Sequence, residues 1–333
     1  MLQIKKYSWE ITLFFLVILE IIGFGLFNPR MLDINILLYS TSDFIYIGML
    51  ALPLTLIIVS GGMDISFGST VGLCAISLGV LFQLGYPLSI AIFLTFIIGI
   101  LCGLFNASLI LYTKVNPLVI TLGTMYLYGG GALLLSGFAG ATGYEGIGGF
   151  PDSLLNFANQ SIFNIPTSII YFIIIAIIFW LLMHKTVIGR SIFLIGQNER
   201  TSIYNAVPIK QTLFIIYGLL GAVAAFVGIL LVSYFGSARS DLGSSLLMPV
   251  LTAVVLGGAN IYGGAGSVLG TAIAALLIGY LQQGLQMVGV SNEISSALSG
   301  ALLIIVLIGK SFSIYRSFIM NWLKKNVFYL KQK

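Results

Sequence analysis

Long apolar runs, each closed by Gly, Pro or a charged residue, follow one another from near the start of the chain to near its end. A membrane-crossing helix needs roughly 20 mostly apolar residues, and runs of that kind predict about ten spans here. They cover residues 11–27, 43–60, 67–84, 87–112, 117–137, 167–183, 211–235, 247–258, 266–288 and 294–310. The eighth is short and the ninth begins almost at once, so the region 247–270 reads as a broken or re-entrant helix. Such backbone is tolerated at membrane depth only inside protein or against a polar cavity. The first run lacks a small-residue cleavage site and further spans follow it, so it reads as a retained span. The expected fold is an all-α integral membrane protein, with residues 1–333 forming one transmembrane domain.

Composition agrees. With 59% hydrophobic and 8% charged residues and a mean hydropathy of +1.08, the apolar surface cannot be hidden in a water-soluble core. The net charge of +5 is spread over connections and tails between membrane-length runs, which fits lipid headgroups and topology and not nucleic acid. With an even number of spans, Lys5, Lys6, Lys114, Lys185, Arg190, Arg200, Lys210, Arg316, Lys324, Lys325, Lys331 and Lys333 all fall on one side. The positive-inside rule makes that side cytoplasmic, together with both tails (1–10 and 311–333) and the connection 184–210. The opposite side receives the connection 138–166, which carries Glu145 and Asp152 but no basic residue, and the short GSARSDLG connection.

Small residues predict where helices approach closely, because helices in lipid associate through backbone contact more than through hydrophobicity. GSTVG (68–72), GILCG (99–103) and GSVLG (266–270) each offer Gly at i and i+4 and predict tight helix pairs. GGMDISFGSTVG near residue 61 and GGANIYGGAGSVLG near residue 257 share a double Gly, a polar residue and a Gly-Ser leading into a span. Interrupted helices at matching positions often frame a transport path, although turn glycines could converge on the same pattern.

Several chemistries are missing. No GxxxxGK[ST], HExxH or GxSxG occurs, and the single His184, beside Lys185, reads as an interfacial residue. Cys74 and Cys102 both fall in apolar runs without metal-ligand spacing and read as reduced packing residues, so no metal site is expected. Intramembrane acids are few, namely Glu20, Asp43 and Asp64, which leaves an ion-coupled carrier short of ionisable relays.

The longest polar interruption is GRSIFLIGQNERTSIYNAVPIK, residues 189–210. Asn198 is a good N-cap, Glu199 suits a first helical turn and Pro208 stops a helix begun there. Ile203 and Val207 share one face, with Arg200, Thr201 and Tyr204 around it. A short helix of this kind either covers its own bundle or docks on another chain.

The same stretch resembles the cytoplasmic loop of ribose-type permease subunits in bacterial ATP-binding cassette sugar importers, where a Gly-Arg, a Gly-x-Asn and a small residue frame the coupling helix. GGMDISFGS, NPLVITLGT (116–124) and VLGGANIYGGAGSVLGT (255–271) extend the resemblance over about 40–310. Gln197 and ERTSIYNA depart from the more common acidic and Ala-Ala pattern, which leaves the docking register open. MLDINILLYSTSDF, GATGYEGIGGFPDS and SYFGSARSDLGSS look like the permeases of autoinducer-2 importers within that family.

The resemblance implies a transport subunit and not an enzyme, in the bacterial inner membrane. Its partners would be a second homologous permease in a heterodimer, a cytoplasmic ATPase that holds the ATP, and a periplasmic binding protein. No cofactor is expected on this chain. Gly196, Asn198, Glu199, Arg200, Ile203 and Tyr204 become candidates for ATPase coupling. Asp64, Ser66, Asn116, Thr121 and Gln282 are candidates for the path of a small polyhydroxylated cargo, with helix capping and interhelical hydrogen bonding as their structural alternative. Glu145, Asp152, Arg239 and Asp241 are candidates for binding-protein contact. A permease for ribose or another monosaccharide, an ion-coupled carrier or channel, and an assembly subunit are the alternatives.

Overall fold

The computed structural model describes residues 7–308 except 139, 141–145, 292–293, 296, 299, 303 and 307. Glu145, residues 1–6, the C-terminal tail and parts of the expected tenth span lie outside the described residues. Thirteen helices are complete within them: α1 Ser8–Phe27, α2 Ile34–Thr41, α3 Ile45–Val59, α4 Phe67–Gln83, α5 Leu88–Thr113, α6 Pro117–Phe138, α7 Asp152–Asn159, α8 Thr167–Lys185, α9 Val187–Gln197, α10 Glu199–Tyr204, α11 Ile209–Phe235, α12 Leu247–Leu256 and α13 Val268–Met287. A two-residue antiparallel ribbon, β1 Ser161–Ile162 with β2 Ile165–Pro166, links α7 to α8.

Six of these helices, α1, α5, α6, α8, α11 and α13, are long and apolar enough to cross a membrane, and α2 with α3 reaches that length only as a pair bent by 53°. The bend replaces the straight start expected at residue 43, because α2 ends at Thr41 and a turn at Ser42–Phe44 redirects the chain. α4 and α12 are shorter than a crossing. The polar stretch read as one loop with a late helix contains a helix before it, α9, which buries Gly189, Ser191, Ile192 and Ile195 on one face.

All fifteen residues of α3 are buried, so it forms the centre of the bundle. A helix apolar on every side is stable there only when other helices surround it. α5 meets α11 through Gly99 and Gly221, where a side chain on either glycine would overlap the other's carbonyl, and Gly103 packs likewise on the Tyr217 backbone. The GILCG expectation therefore holds.

The other two glycine pairs behave differently. Gly68 and Gly72 of α4 face the carbonyls of Gly243 and Ser240, so their partner is a turn and not a helix. After α11 ends, the chain turns at Gly236 and runs back down α4, with Ala238 beside Gly79, Ser240 beside Gly72 and Gly243 beside Gly68, before α12 begins. GSVLG does not form a helical face, because α13 starts only at Val268 and Gly266 lies in the preceding turn, against Val59 and Ala259.

Five basic residues mark one end of the bundle, at the C-terminus of α5 (Lys114), the end of α8 (Lys185), α9 (Arg190), α10 (Arg200) and the start of α11 (Lys210). The far ends of α4, α6 and α11, with α7 and the ribbon, make the opposite end. The dip after α11 goes deep: the Cys74 thiol, half a turn beyond Gly72, points to the Thr95 carbonyl (3.9 Å). Thr95 lies roughly 10 Å along α5 from its outer start at Leu88 at the usual helical rise.

Candidate functional site

Both glycine breaks expected from the internal repeat are present, Ser60–Ser66 between α3 and α4 and Gly257–Ser267 between α12 and α13, and they pack on each other. The Val59 carbonyl ends α3 without a helical partner, and the Gly264 amide of the second break donates to it at 2.8 Å. Gly196, near the end of α9, fits between them. A side chain there would overlap the Val59 carbonyl and reach 2.5 Å from the Gly264 nitrogen. Gly61 and Gly263 both adopt positive φ, 82° and 86°, to bring the three backbones together. Gly196 is thus an anchor, half-buried in this junction, whereas the neighbouring coupling candidates are exposed.

The first break leads into a closed polar network. One carboxylate oxygen of Asp64 accepts from the Ser66 amide and hydroxyl, both at 2.7 Å, and the other from Asn106 Nδ2 at 3.0 Å. Asn106 Nδ2 also reaches Ser66 Oγ at 2.8 Å, and the Tyr128 hydroxyl donates to Asn106 Oδ1 at 3.0 Å and lies 2.9 Å from the Cys102 carbonyl. Asp64, Ser66 and Asn106 are each 2% exposed or less, so the pair read as path residues ties α4 to α5 and α6 instead of lining open space. Asn106 and Tyr128 were missed in the sequence. Their signal was a lone amide and a phenol inside long apolar runs, groups that need partners in a membrane.

The second break is held from the opposite side by α1. Trp9 Nε1 donates to the Leu256 carbonyl at the end of α12 (2.8 Å), and Ser267 Oγ, which caps α13, donates to Glu10 (2.8 Å). Thr55 and Thr271 hydroxyls, 2.9 Å apart, join α3 to α13 between the two breaks.

From this junction α9 leads through Asn198 into α10. Asn198 Oδ1 accepts from the Thr201 amide at 3.0 Å, the expected cap. α10 ends at Tyr204, so Val207 lies beyond it and Pro208 precedes α11 instead of stopping α10. Ser202 faces inward, while Glu199 and Arg200 are exposed, Ile203 is 61% exposed and Tyr204 is 90% exposed. Beside α10 a cavity of about 900 Å³ is lined by Lys114, Asn116, Glu199, Ile203, Val207 and Lys210, among others. It brings the path candidate Asn116, which caps α6 through the Leu118 amide, to the coupling candidates Glu199 and Ile203.

The remaining candidates are dispersed. Thr121 is buried and bonds the Pro117 carbonyl, and Gln282 is half-buried on α13. Asp152 opens α7 at the opposite end, exposed. Arg239 and Asp241 pair through two hydrogen bonds, Nε to Oδ1 at 2.9 Å and Nη2 to Oδ2. They sit on the turn that packs along α4, with side chains 42% and 28% exposed, and the Arg239 stem lies against Gly146 of the 138–166 connection. A partly exposed charge pair of this kind needs water or protein beside it, not lipid. Among the described residues no three His, Cys, Asp or Glu groups cluster as metal ligands, and both cysteines are free and buried.

The family described as "Branched-chain amino acid transport system / permease component" matches residues 36–307, from α2 past α13. The chain belongs to that family. It is a multi-pass permease, a transport component and not an enzyme. Among its relatives, the "Autoinducer 2 import system permease protein LsrD" of Salmonella typhimurium is 66% identical over 318 residues, 96% of each chain. The protein of the same name from Yersinia pseudotuberculosis serotype O:3 is 65% identical over 321 residues, again 96% of each. No solved structure matches the permease. The family's description names one cargo and the relatives another, so membership fixes the architecture and leaves the cargo to the closer likeness.

Proposed function

We propose that this permease carries autoinducer-2 across the bacterial inner membrane as one half of a heterodimer with a second, homologous permease. A cytoplasmic ATPase supplies the energy and a periplasmic binding protein delivers the cargo. The cargo reading rests on the 66% identity over 96% of the chain to permeases named for that import. The coupling reading rests on one structural observation: α10, capped by Asn198, offers Arg200, Ile203 and Tyr204 to an external surface. An apolar face left open on a rigid, capped helix favours docking on another chain over covering its own bundle.

On this reading the basic end is cytoplasmic, both termini lie there, and about ten spans complete the single transmembrane domain. Residues 184–210 form the coupling connection and 138–166 the periplasmic one. The permease needs no cofactor of its own, and ATP stays on the ATPase. Closure of the ATPase around ATP would push α10, and Gly196 would pass the movement to both breaks, since it is wedged between them. Two packed breaks can shift as a unit between inward-facing and outward-facing arrangements of the assembly. Glu145, Asp152, Arg239 and Asp241 would meet the binding protein.

The test is uptake of labelled autoinducer-2 into proteoliposomes holding the four subunits, with and without internal ATP. ATP-dependent uptake in wild type, lost in Glu199→Ala, Arg200→Ala, Ile203→Ala although the complex still assembles, is the expected result. ATP-independent uptake that follows an ion gradient would replace the importer with a carrier. ATP-driven uptake of ribose but not of autoinducer-2 would overturn the cargo alone.

A further inference from the structure

We propose that the ribbon between α7 and α8 is a docking pin at the outer end, anchored by Phe163, for a water-soluble protein that offers an apolar pocket rimmed by basic groups. On the import reading that partner is the periplasmic binding protein, and this assignment rests on the reading above.

The first ground is a conformational cost with no return inside the chain. Phe163 and Asn164 make the turn between β1 and β2, and both have positive φ, 52° and 63°. Two-residue hairpin turns need that backbone, which is why Asn and Gly usually fill them. Asn164 suits it, whereas a bulky aromatic residue with positive φ is strained. Packing would normally offset the strain, yet Phe163 is 96% exposed, so nothing within the protein rewards the ring at this position.

The mount is rigid. On the side of α7, the Ala158 amide donates to Ser233 Oγ of α11 at 2.8 Å, and Asn159 Nδ2 donates to the Ser233 carbonyl at 3.0 Å. On the side of α8, the Thr167 amide donates to the Gln160 carbonyl and the Thr167 hydroxyl to the Phe157 carbonyl, both at 3.0 Å. Ile162 and Ile165, opposite each other across the ribbon, support the turn on one face. An aromatic ring presented on such a base has little freedom left to lose on binding.

Position and charge select a protein over lipid. The 19 residues of α8, Thr167–Lys185, span about 28 Å at the helical rise, close to the roughly 30 Å of a hydrocarbon core. Thr167 therefore stands at the outer edge of that core, and the ribbon lies before it. An open two-stranded ribbon has outward backbone groups that need water or a polar partner, which hydrocarbon does not supply. Gln160, Ser161 and Asn164 are also exposed around the ring. One aromatic anchor within a polar collar is the pattern of an interface hot spot. The 138–166 connection carries Glu145 and Asp152 and no basic residue, so complementarity calls for basic groups on the partner.

The test is a titration of the cargo-loaded periplasmic binding protein onto the two permeases and ATPase assembled in lipid nanodiscs. Phe163→Gly should weaken docking about thirtyfold, the scale on which an aromatic hot spot is lost. The same variant should melt at or above the wild-type temperature, because glycine accepts the positive φ. Phe163→Tyr keeps the ring and should dock nearly as wild type does. Leu84→Ser, which removes another exposed apolar side chain at the outer end but off the ribbon, should stay within about twofold. Phe163→Trp should add no fluorescence that brominated lipids quench. Such quenching would put the ring in the membrane and overturn the pin, as would a Phe163→Gly protein that docks like wild type or melts below it. Uptake that is ATP-driven while Phe163→Gly docks like wild type would sink the pin and leave the import reading standing. Phe163-dependent docking without ATP-driven uptake would sink the import reading and keep the pin.

Discussion

The two breaks begin with nearly the same residues, Gly-Gly-Met-Asp and Gly-Gly-Ala-Asn, and both interrupt a span, yet different helices hold them. The first is fixed from inside by its own Asp64 and Ser66 bonded to Asn106 of α5, which Tyr128 of α6 holds in turn. The second is fixed from the other side by Trp9 and Glu10 of the first span. Glycine therefore encodes where the chain may break, and lone polar residues elsewhere encode what grips the break. At Gly196, Val59 and Gly264 the two become one structure.

Separating those roles by mutation gives a graded series. Gly196→Val should have the largest effect, because its side chain would collide with backbone at both breaks. Overpacking of this kind costs about 3 kcal/mol or more where nothing can give way, and the purified permease should lose its cooperative melt or most of its stability. Asp64→Ala should come next and act on the first break alone. It leaves Ser66 and Asn106 buried without their acceptor, for about 2–3 kcal/mol, read as a lower melting temperature with α10 still able to dock. Trp9→Phe should be smallest, about 1 kcal/mol or less for one half-exposed hydrogen bond at the second break. Equal losses for Asp64→Ala and Trp9→Phe would mean that the breaks do not have separate supports.

Much of this was legible in the apolar pattern. The spans of α1, α5, α6, α8, α11 and α13 follow from run length, and the breaks follow from clustered glycine. The Asn198 cap was legible because capping is local chemistry. What stayed hidden was non-local. α9 looked polar because Gly189–Arg190 and Gln197 frame it, although Ile188, Ile192 and Ile195 already gave a helical stripe. The segment GSARSDLG looked like an outer loop because its residues are polar. Only the match between its Ser240 and Gly243 and the Gly72 and Gly68 of α4 draws it inward, and no spacing within one segment reports a contact about 170 residues away. The path candidates scattered for a related reason: Asp64 and Ser66 found partners in each other, which polarity alone does not reveal.

The inward course of Gly236–Gly243 also constrains how the protein is made. A stretch outside any helix that carries an arginine and an aspartate cannot leave the translocation machinery for lipid by itself. It needs the groove along α4, formed from the first third of the chain, to be standing already. Synthesis runs from the N-terminus, so the order is available, and the last third of the permease is committed to the membrane by a scaffold that the first third has built.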